Sequence, residues 1–165
     1  MVVVEQVAGI KASATESLTL AFEFRCKNRL HARLDSGEEI GLFLKRGTVL
    51  RGGDHLLAND GRVIVVKAAL EAVMTAYSAE PLHLIQAAYH LGNRHVALEV
   101  KPGWLRFSRD HVLADMVRGL GLEVEELMAP FEPESGAYGK QAGHAHGHGF
   151  DSIGRGARIH DMPAR

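Results

Sequence analysis

The apolar periodicity of this chain changes once along its length, and that change limits the folds open to it. Up to about residue 70, short apolar runs (Val2–Val4, Leu18–Phe24, Ile40–Leu44, Val63–Val66) are divided by turn signals at Lys27-Asn28, Asp35-Ser36-Gly37, Gly52-Gly53-Asp54 and Asn59-Asp60-Gly61. Leu18, Leu20, Phe22 and Phe24 alternate with Thr19, Ala21, Glu23 and Arg25, the period of a half-buried strand. Asn59-Asp60-Gly61, between Leu56-Leu57 and Val63–Val66, predicts a hairpin. Evenly spaced turns without a helical stripe predict a small sandwich or barrel-like unit.

After about residue 68 the pattern is different. Ala68–Tyr77 is ambiguous, with helix-forming alanines between strand-like flanks, and a domain boundary is placed inside it. Pro81 suits a first helical turn. Leu82, Ile85 and Tyr89 then line one side of a helix, with Leu84, Ala88 and Leu91 on the other and Gly92-Asn93 as its stop. Val96, Leu98 and Val100 alternate as a strand, Lys101-Pro102-Gly103 turns, and Trp104–Phe107 reads as the next strand. Asp110 is an N-cap before Leu113, Met116, Val117 and Leu120, the i, i+3, i+4, i+7 set of a second helix, and a last strand is expected near Leu122–Leu127. With a strand from the boundary in front, the order is β-α-β-β-α-β, the split βαβ or ferredoxin-like arrangement. The expected fold is therefore α+β, with a β-rich domain over 1–70, a ferredoxin-like domain over 71–135 and a disordered His/Gly-rich tail over 136–165. From about Pro130 the chain turns to Pro, Glu, Gly and His and is expected to be mobile.

Bulk properties exclude several function classes. A net charge of −1 gives no electrostatic reason to expect nucleic acid or an anionic membrane. No apolar run approaches the ~20 residues of a membrane helix, and Met1-Val-Val-Val-Glu does not read as a signal peptide. The single Cys26 has no partner for an intramolecular disulfide, which fits a cytoplasmic protein. Lying in an alternating stretch, Cys26 is expected to be a buried or half-buried structural thiol. Metal chemistry in this chain must then rest on histidine.

Histidine is where the sequence carries chemistry. Residues 143–149 read Gly-His-Ala-His-Gly-His-Gly. His144, His146 and His148 are separated only by residues with almost no side chain, so nothing there can pack. What remains is a high local density of nitrogen donors, mostly neutral near pH 7 because histidine titrates near ~6.5. Nickel, zinc and copper favour such donors. A solvated low-complexity tail is the plain alternative. An expression tag is not, because tags are contiguous and terminal whereas this run has spacers and is followed by Phe150–Arg165.

A second concentration lies at Tyr89-His90-Leu91-Gly92-Asn93-Arg94-His95. The helix stop places His95 as the first residue of the following strand, and if Val96, Leu98 and Val100 face the core, His95, Ala97 and Glu99 face away. One outward histidine is a poor metal site, since nickel or zinc takes three or four ligands or more. A two-fold axis that sets a second His95 opposite the first makes it a good one. Taken alone, the position reads as readily as an ordinary surface or capping histidine.

The stretch Pro81–Val100, with Tyr-His-Leu-Gly-Asn-Arg-His-Val-Ala-Leu-Glu-Val, resembles the signature of the urease accessory nickel chaperones, the UreE family. Asp110-His111-Val112-Leu113-Ala114-Asp115-Met116 and Pro130-Phe131-Glu132-Pro133-Glu134-Ser135-Gly136-Ala137-Tyr138 resemble its later motifs in the same order, and the His-rich tail is similar too. The likeness is strong over 81–138 and looser over 1–75. It implies a β-rich N-terminal domain suited to binding another polypeptide and a ferredoxin-like second domain forming a head-to-head homodimer. His95, one from each subunit, corresponds to the family's shared metal ligand, with the tail histidines His144, His146 and His148 completing the coordination. His111 matches a further metal-binding position of some members, in which the partner histidine lies two residues earlier, where this chain has Arg109. His90 matches a position usual in the family, but lies within a helix and reads as structural.

The other groups rank lower. His31, His55 and His83 are isolated and read as surface or core residues, and His160 has nothing to fix it near a metal. Glu123, Glu125, Glu126, Glu132 and Glu134 read as a solvated acidic face. There is no nucleophile–base motif and no phosphate-cradling glycine loop. The leading expectation is a non-enzymatic, cytoplasmic, homodimeric metallochaperone that binds Ni(II) as cargo, with zinc or copper possible in vitro. It would deliver nickel to apo-urease with the accessory GTPase complex, without nucleic acid or membrane as partner. The alternative is a His-rich nickel/zinc store without a specific delivery partner. A metal-dependent hydrolase would need an enclosed three-ligand site with a general base, and the sequence offers no such cluster.

Overall fold

Turn chemistry organises the first sheet. In the computed structural model, which describes residues 2–8 and 13–136, Gly37 (φ +95°) and Gly61 (φ +86°) supply the left-handed backbone that two of its tight turns require. The tail histidines His144, His146 and His148 lie outside the described residues. The elements in order are β1 (Val2–Ala8), β2 (Glu16–Leu20), a single helical turn α1 (Phe22–Arg25), β3 (Arg29–Arg33), β4 (Glu39–Phe43), β5 (His55–Ala58) and β6 (Val63–Ala68). The strands form one mixed sheet in the order β2-β6-β5-β1-β4-β3, with β1 parallel to β4 and β2 parallel to β6. The β5–β6 hairpin, with Leu56 opposite Ile64, is the one expected around Asn59-Asp60-Gly61.

The sheet curls until its outer strands meet. Asp35, between β3 and β4, donates its backbone N–H to the Ser17 carbonyl of β2 at 2.9 Å. Its carboxylate accepts from the Ser17 hydroxyl at 2.6 Å and the Thr19 hydroxyl at 2.9 Å. The Ser17 hydroxyl bond is the main cause holding that carboxyl below the usual carboxylate range. Inside the curl, Val4, Leu18, Ile40, Leu42, Leu56 and Ile64 are wholly buried. Two expectations fail here. The run Leu18–Phe24 is not one strand, because at Ala21 the chain breaks into α1, its carbonyl accepting from Phe24 and Arg25 N–H at 3.1 Å each. Arg25 thereby turns inward and is wholly buried, while Cys26 is exposed rather than half-buried. Strand β3 was not anticipated, since Leu30 and Ala32 alone give little apolar signal.

The second sheet follows at once. Its elements are β7 (Leu70–Tyr77), α2 (Pro81–Gly92), β8 (Glu99–Lys101), β9 (Trp104–Ser108), α3 (His111–Gly119) and β10 (Glu123–Pro130). The strand order is β10-β7-β9-β8 with every pairing antiparallel. The ambiguous stretch is a strand because it is paired along both edges, and pairing overrides the helix preference of its alanines. Met74, Ala76, Leu105 and Phe107 on one face of the sheet share a core with Ala87 and Leu91 of α2 and Ala114 and Val117 of α3. The chain is thus α+β, rich in strands and poor in helix, and no helix among the described residues is long and apolar enough to cross a membrane.

Pro130–Ser135, expected to be mobile, is instead held in place. Phe131 is 1% exposed and meets Phe22 edge-to-face at 5.5 Å. Glu132 was read as part of a solvated acidic face. Its Oε1 accepts from Arg25 Nη1 at 2.9 Å and from Gly52 N–H at 2.9 Å, while Arg51 Nη1 lies 3.4 Å from Oε2. The guanidinium of Arg25 also donates to the carbonyls of Leu20, Leu50 and Phe131, so its buried charge is fully partnered.

Candidate metal centre

Helix α2 starts on Pro81, with the Glu80 carboxylate accepting from Leu82 N–H at 3.4 Å. Its end is less ordinary. Val96 N–H donates to the Leu91 carbonyl at 3.2 Å and His95 N–H to the Gly92 carbonyl at 2.9 Å. This 6→1 and 5→2 pair is a Schellman closure, whose penultimate residue must be left-handed and is usually glycine. Here that residue is His95, with φ +55°, the one non-glycine residue of positive φ among the described residues. The helix ends at Gly92 with Asn93 as its cap, as the Gly92-Asn93 pair predicts, and the closing turn runs on to His95. Leu91 and Val96 provide the apolar contact that accompanies the closure, both in the second core.

A residue with a Cβ in this conformation costs about 1 kcal/mol or more relative to glycine. His95 is exposed, so its imidazole recovers nothing by burial. It is also not the first residue of a strand. Val96–Leu98 is coil, β8 begins at Glu99, and the alternation inverts there: Glu99 is 6% exposed and Val100 is 42% exposed. The imidazole therefore sits on a closed turn at the C-terminal end of α2, where the helix dipole favours a cation. Arg94 folds back, donating from Nη1 to the His90 carbonyl at 3.0 Å.

The outward side of α2 is apolar. Leu82, Ile85 and Tyr89 are 55%, 64% and 65% exposed. A groove of about 510 Å³ beside them is lined by Leu84, Ile85, Ala88, Val100 and Leu105. Sequence periodicity identified this stripe but not which side of the helix would be left uncovered.

His111 has a contrasting setting. It is the first residue of α3, behind the Asp110 cap whose Oδ1 accepts from Leu113 N–H at 2.9 Å. Its Nε2 lies 3.9 Å from Glu126 Oε2, and Arg109 pairs with the other oxygen of that carboxylate at 2.8 Å. A helix N-terminus and a neighbouring guanidinium both disfavour a metal cation. His90 is half-buried and edge-on to Tyr89 at 5.3 Å, His83 packs over Gly121, and His55 Nδ1 is 3.0 Å from the Gly53 carbonyl. Desolvation pushes the Cys26 thiol above its ordinary value despite the nearby Arg25 and Arg51, which makes it a poor thiolate ligand. Among the described residues no three His, Cys, Asp or Glu side chains converge as a ligand set.

Comparison with known proteins decides the family. The model of the UreE urease accessory protein N-terminal domain matches residues 3–69, and that of the C-terminal domain matches residues 71–160. The chain is 52% identical over 143 residues to the urease accessory protein UreE of Burkholderia lata, covering 87% of this chain and 68% of that protein. It is equally similar to that of Burkholderia vietnamiensis, with 70% of the relative covered. The chain belongs to the UreE family. The UreE C-terminal match takes in α2, the His95 turn, α3 and the sequence positions of the tail histidines. The UreE N-terminal match ends where the first sheet does. Sequence reasoning missed the left-handed backbone of His95 because the Gly92-Asn93 pair three residues earlier looked sufficient to stop the helix.

Proposed function

We propose that this UreE-family chain is a metallochaperone of urease maturation that binds Ni(II) as cargo and delivers it for assembly of the urease active site. The observation that carries this reading is His95, an exposed imidazole kept at a left-handed position that glycine would fill at lower cost. Strain of this kind, without a packing gain, marks a side chain retained for what it does. The 71–135 unit reads as ferredoxin-like and 1–70 as the polypeptide-binding domain. The protein is read as cytoplasmic, and the uncovered stripe of Leu82, Ile85 and Tyr89 supports a homodimer through α2, which would set two His95 imidazoles across a two-fold axis. His144, His146 and His148 would complete the coordination and give way one at a time to ligands of apo-urease or of its accessory GTPase complex. His111 is at most a further, weaker ligand. No acid–base or nucleophilic machinery is assigned, since transfer of an ion needs none.

The competing reading is a nickel or zinc store that works through the tail alone. Calorimetric titration of the full chain with Ni(II) separates the two. The expected result is that His95→Ala removes the tightest site, with affinity at least about a hundredfold lower, the upper end of what losing a group behind a ligand costs. Unchanged tight binding would overturn the site and favour storage.

A further inference from the structure

We infer that Glu132 and Arg51 are positioning residues for His95, so that the first sheet helps to hold the metal-binding imidazole. The inference rests on the metal role proposed for His95 and adds to it the device that fixes that residue. His95 is closed on one side by the end of α2 and followed on the other by the coil Val96–Leu98. A left-handed histidine persists only where its surroundings over-determine the backbone. The coil therefore needs support beyond the helix end.

That support comes from Phe131–Ser135. Glu134 N–H donates to the Leu98 carbonyl at 2.8 Å, and Glu132 N–H donates to Glu99 Oε2 at 3.0 Å. Both acceptors lie within four residues of His95 in sequence. The strap is in turn gripped from the loop that joins β4 to β5 of the first sheet. Arg51 reaches Glu132 Oε2 at 3.4 Å, the Pro133 carbonyl, and Ser135 Oγ at 2.9 Å. Gly52 belongs to the same grip, because a Cβ there would stand 3.1 Å from Glu132 Oε1. Both Glu132 oxygens are thus occupied by donors from α1 (Arg25) and from the loop between β4 and β5 (Arg51 and Gly52), while its N–H holds the buried Glu99 behind the His95 coil. Strand order makes this consequential. β10 and β8 are opposite edges of the second sheet, so the strap carries the chain across from the edge it leaves to the edge that bears the His95 turn.

The test is Ni(II) titration of the full chain carrying Glu132→Gln or Arg51→Ala, alone and combined with His95→Ala. Circular dichroism confirms the fold, and amide shifts of residues 94–98 are read in the metal-free protein. Each single variant should bind nickel about threefold to tenfold more weakly, at or below the usual cost of losing a group behind a ligand, and should move the 94–98 amides. Neither should weaken binding further once His95 is gone. An equal loss in the His95→Ala background would make the strap merely structural and overturn the inference, as would unchanged affinity in the single variants. If Glu132→Gln fails to fold, Arg51→Ala decides, because Arg25 and Gly52 still hold Glu132. If His95→Ala alone binds as tightly as the wild type, it is the metal assignment that fails.

Discussion

Two exposed histidines stand at opposite kinds of helix end, and their settings differ in every respect that matters for holding a cation. His95 ends α2 on a left-handed backbone, at the pole of the helix that attracts positive charge, beside an uncovered apolar stripe. His111 begins α3 at an ordinary first-turn position, at the pole that repels positive charge, with Arg109 and Glu126 already paired next to it. Sequence alone ranks both as candidate ligands. The backbone separates them, because one position is costly for histidine and the other is not.

The sharpest way to break this contrast is pH. Imidazole ligates only when neutral, and histidine as a residue type titrates near ~6.5. Affinity at a site built on two His95 side chains should therefore fall as acid protonates the ligands, more steeply than at a site with fewer imidazoles. The fall should be shallower in His95→Ala. Calorimetry at stepped pH checks this, and a flat profile removes histidine ligation altogether.

Next in size is stability. His95→Gly should raise the unfolding free energy by about 1 kcal/mol while losing the tight nickel site, because glycine takes the left-handed closure without a Cβ penalty. Urea melts of the metal-free protein measure it. A destabilised glycine variant would mean the imidazole makes a packing contact that accounts for its presence. The smallest effect is reserved for His111→Ala, which should change nickel affinity less than about twofold, the scale of a weak surface interaction. A tenfold loss in the same titration would place His111 in the primary site and end the distinction.

How much of this was legible in advance depends on how local each signal is. Pro81, Asp110 and the Asn59-Asp60-Gly61 turn act through neighbours a few residues away, and both helices and the hairpin lie where those residues put them. Arg25 looked like an outward strand residue and is buried, since its partners Leu50, Phe131 and Glu132 come from distant parts of the chain. Glu132 looked like one acid among many for the same reason. The inversion that buries Glu99 and exposes Val100 follows from the strap bonding Glu99, which no period-two pattern encodes. At the candidate site, the identity of His95 was readable from the motif around it. Its conformation was not, since a left-handed histidine departs from residue preference.

The sequence by itself determined where both helices begin and where the β5–β6 hairpin turns, and it marked histidine as the residue type to test as a metal ligand. Periodicity, caps and turn residues act over a few positions and survive in any local context. Tertiary structure alone decided which side of α2 stays uncovered, that Pro130–Ser135 is a strap rather than the start of a loose tail, and that His95 bears backbone strain. Those outcomes depend on hydrogen bonds and burial between residues up to about a hundred positions apart, such as Arg25 and Glu132, whose separation is 107.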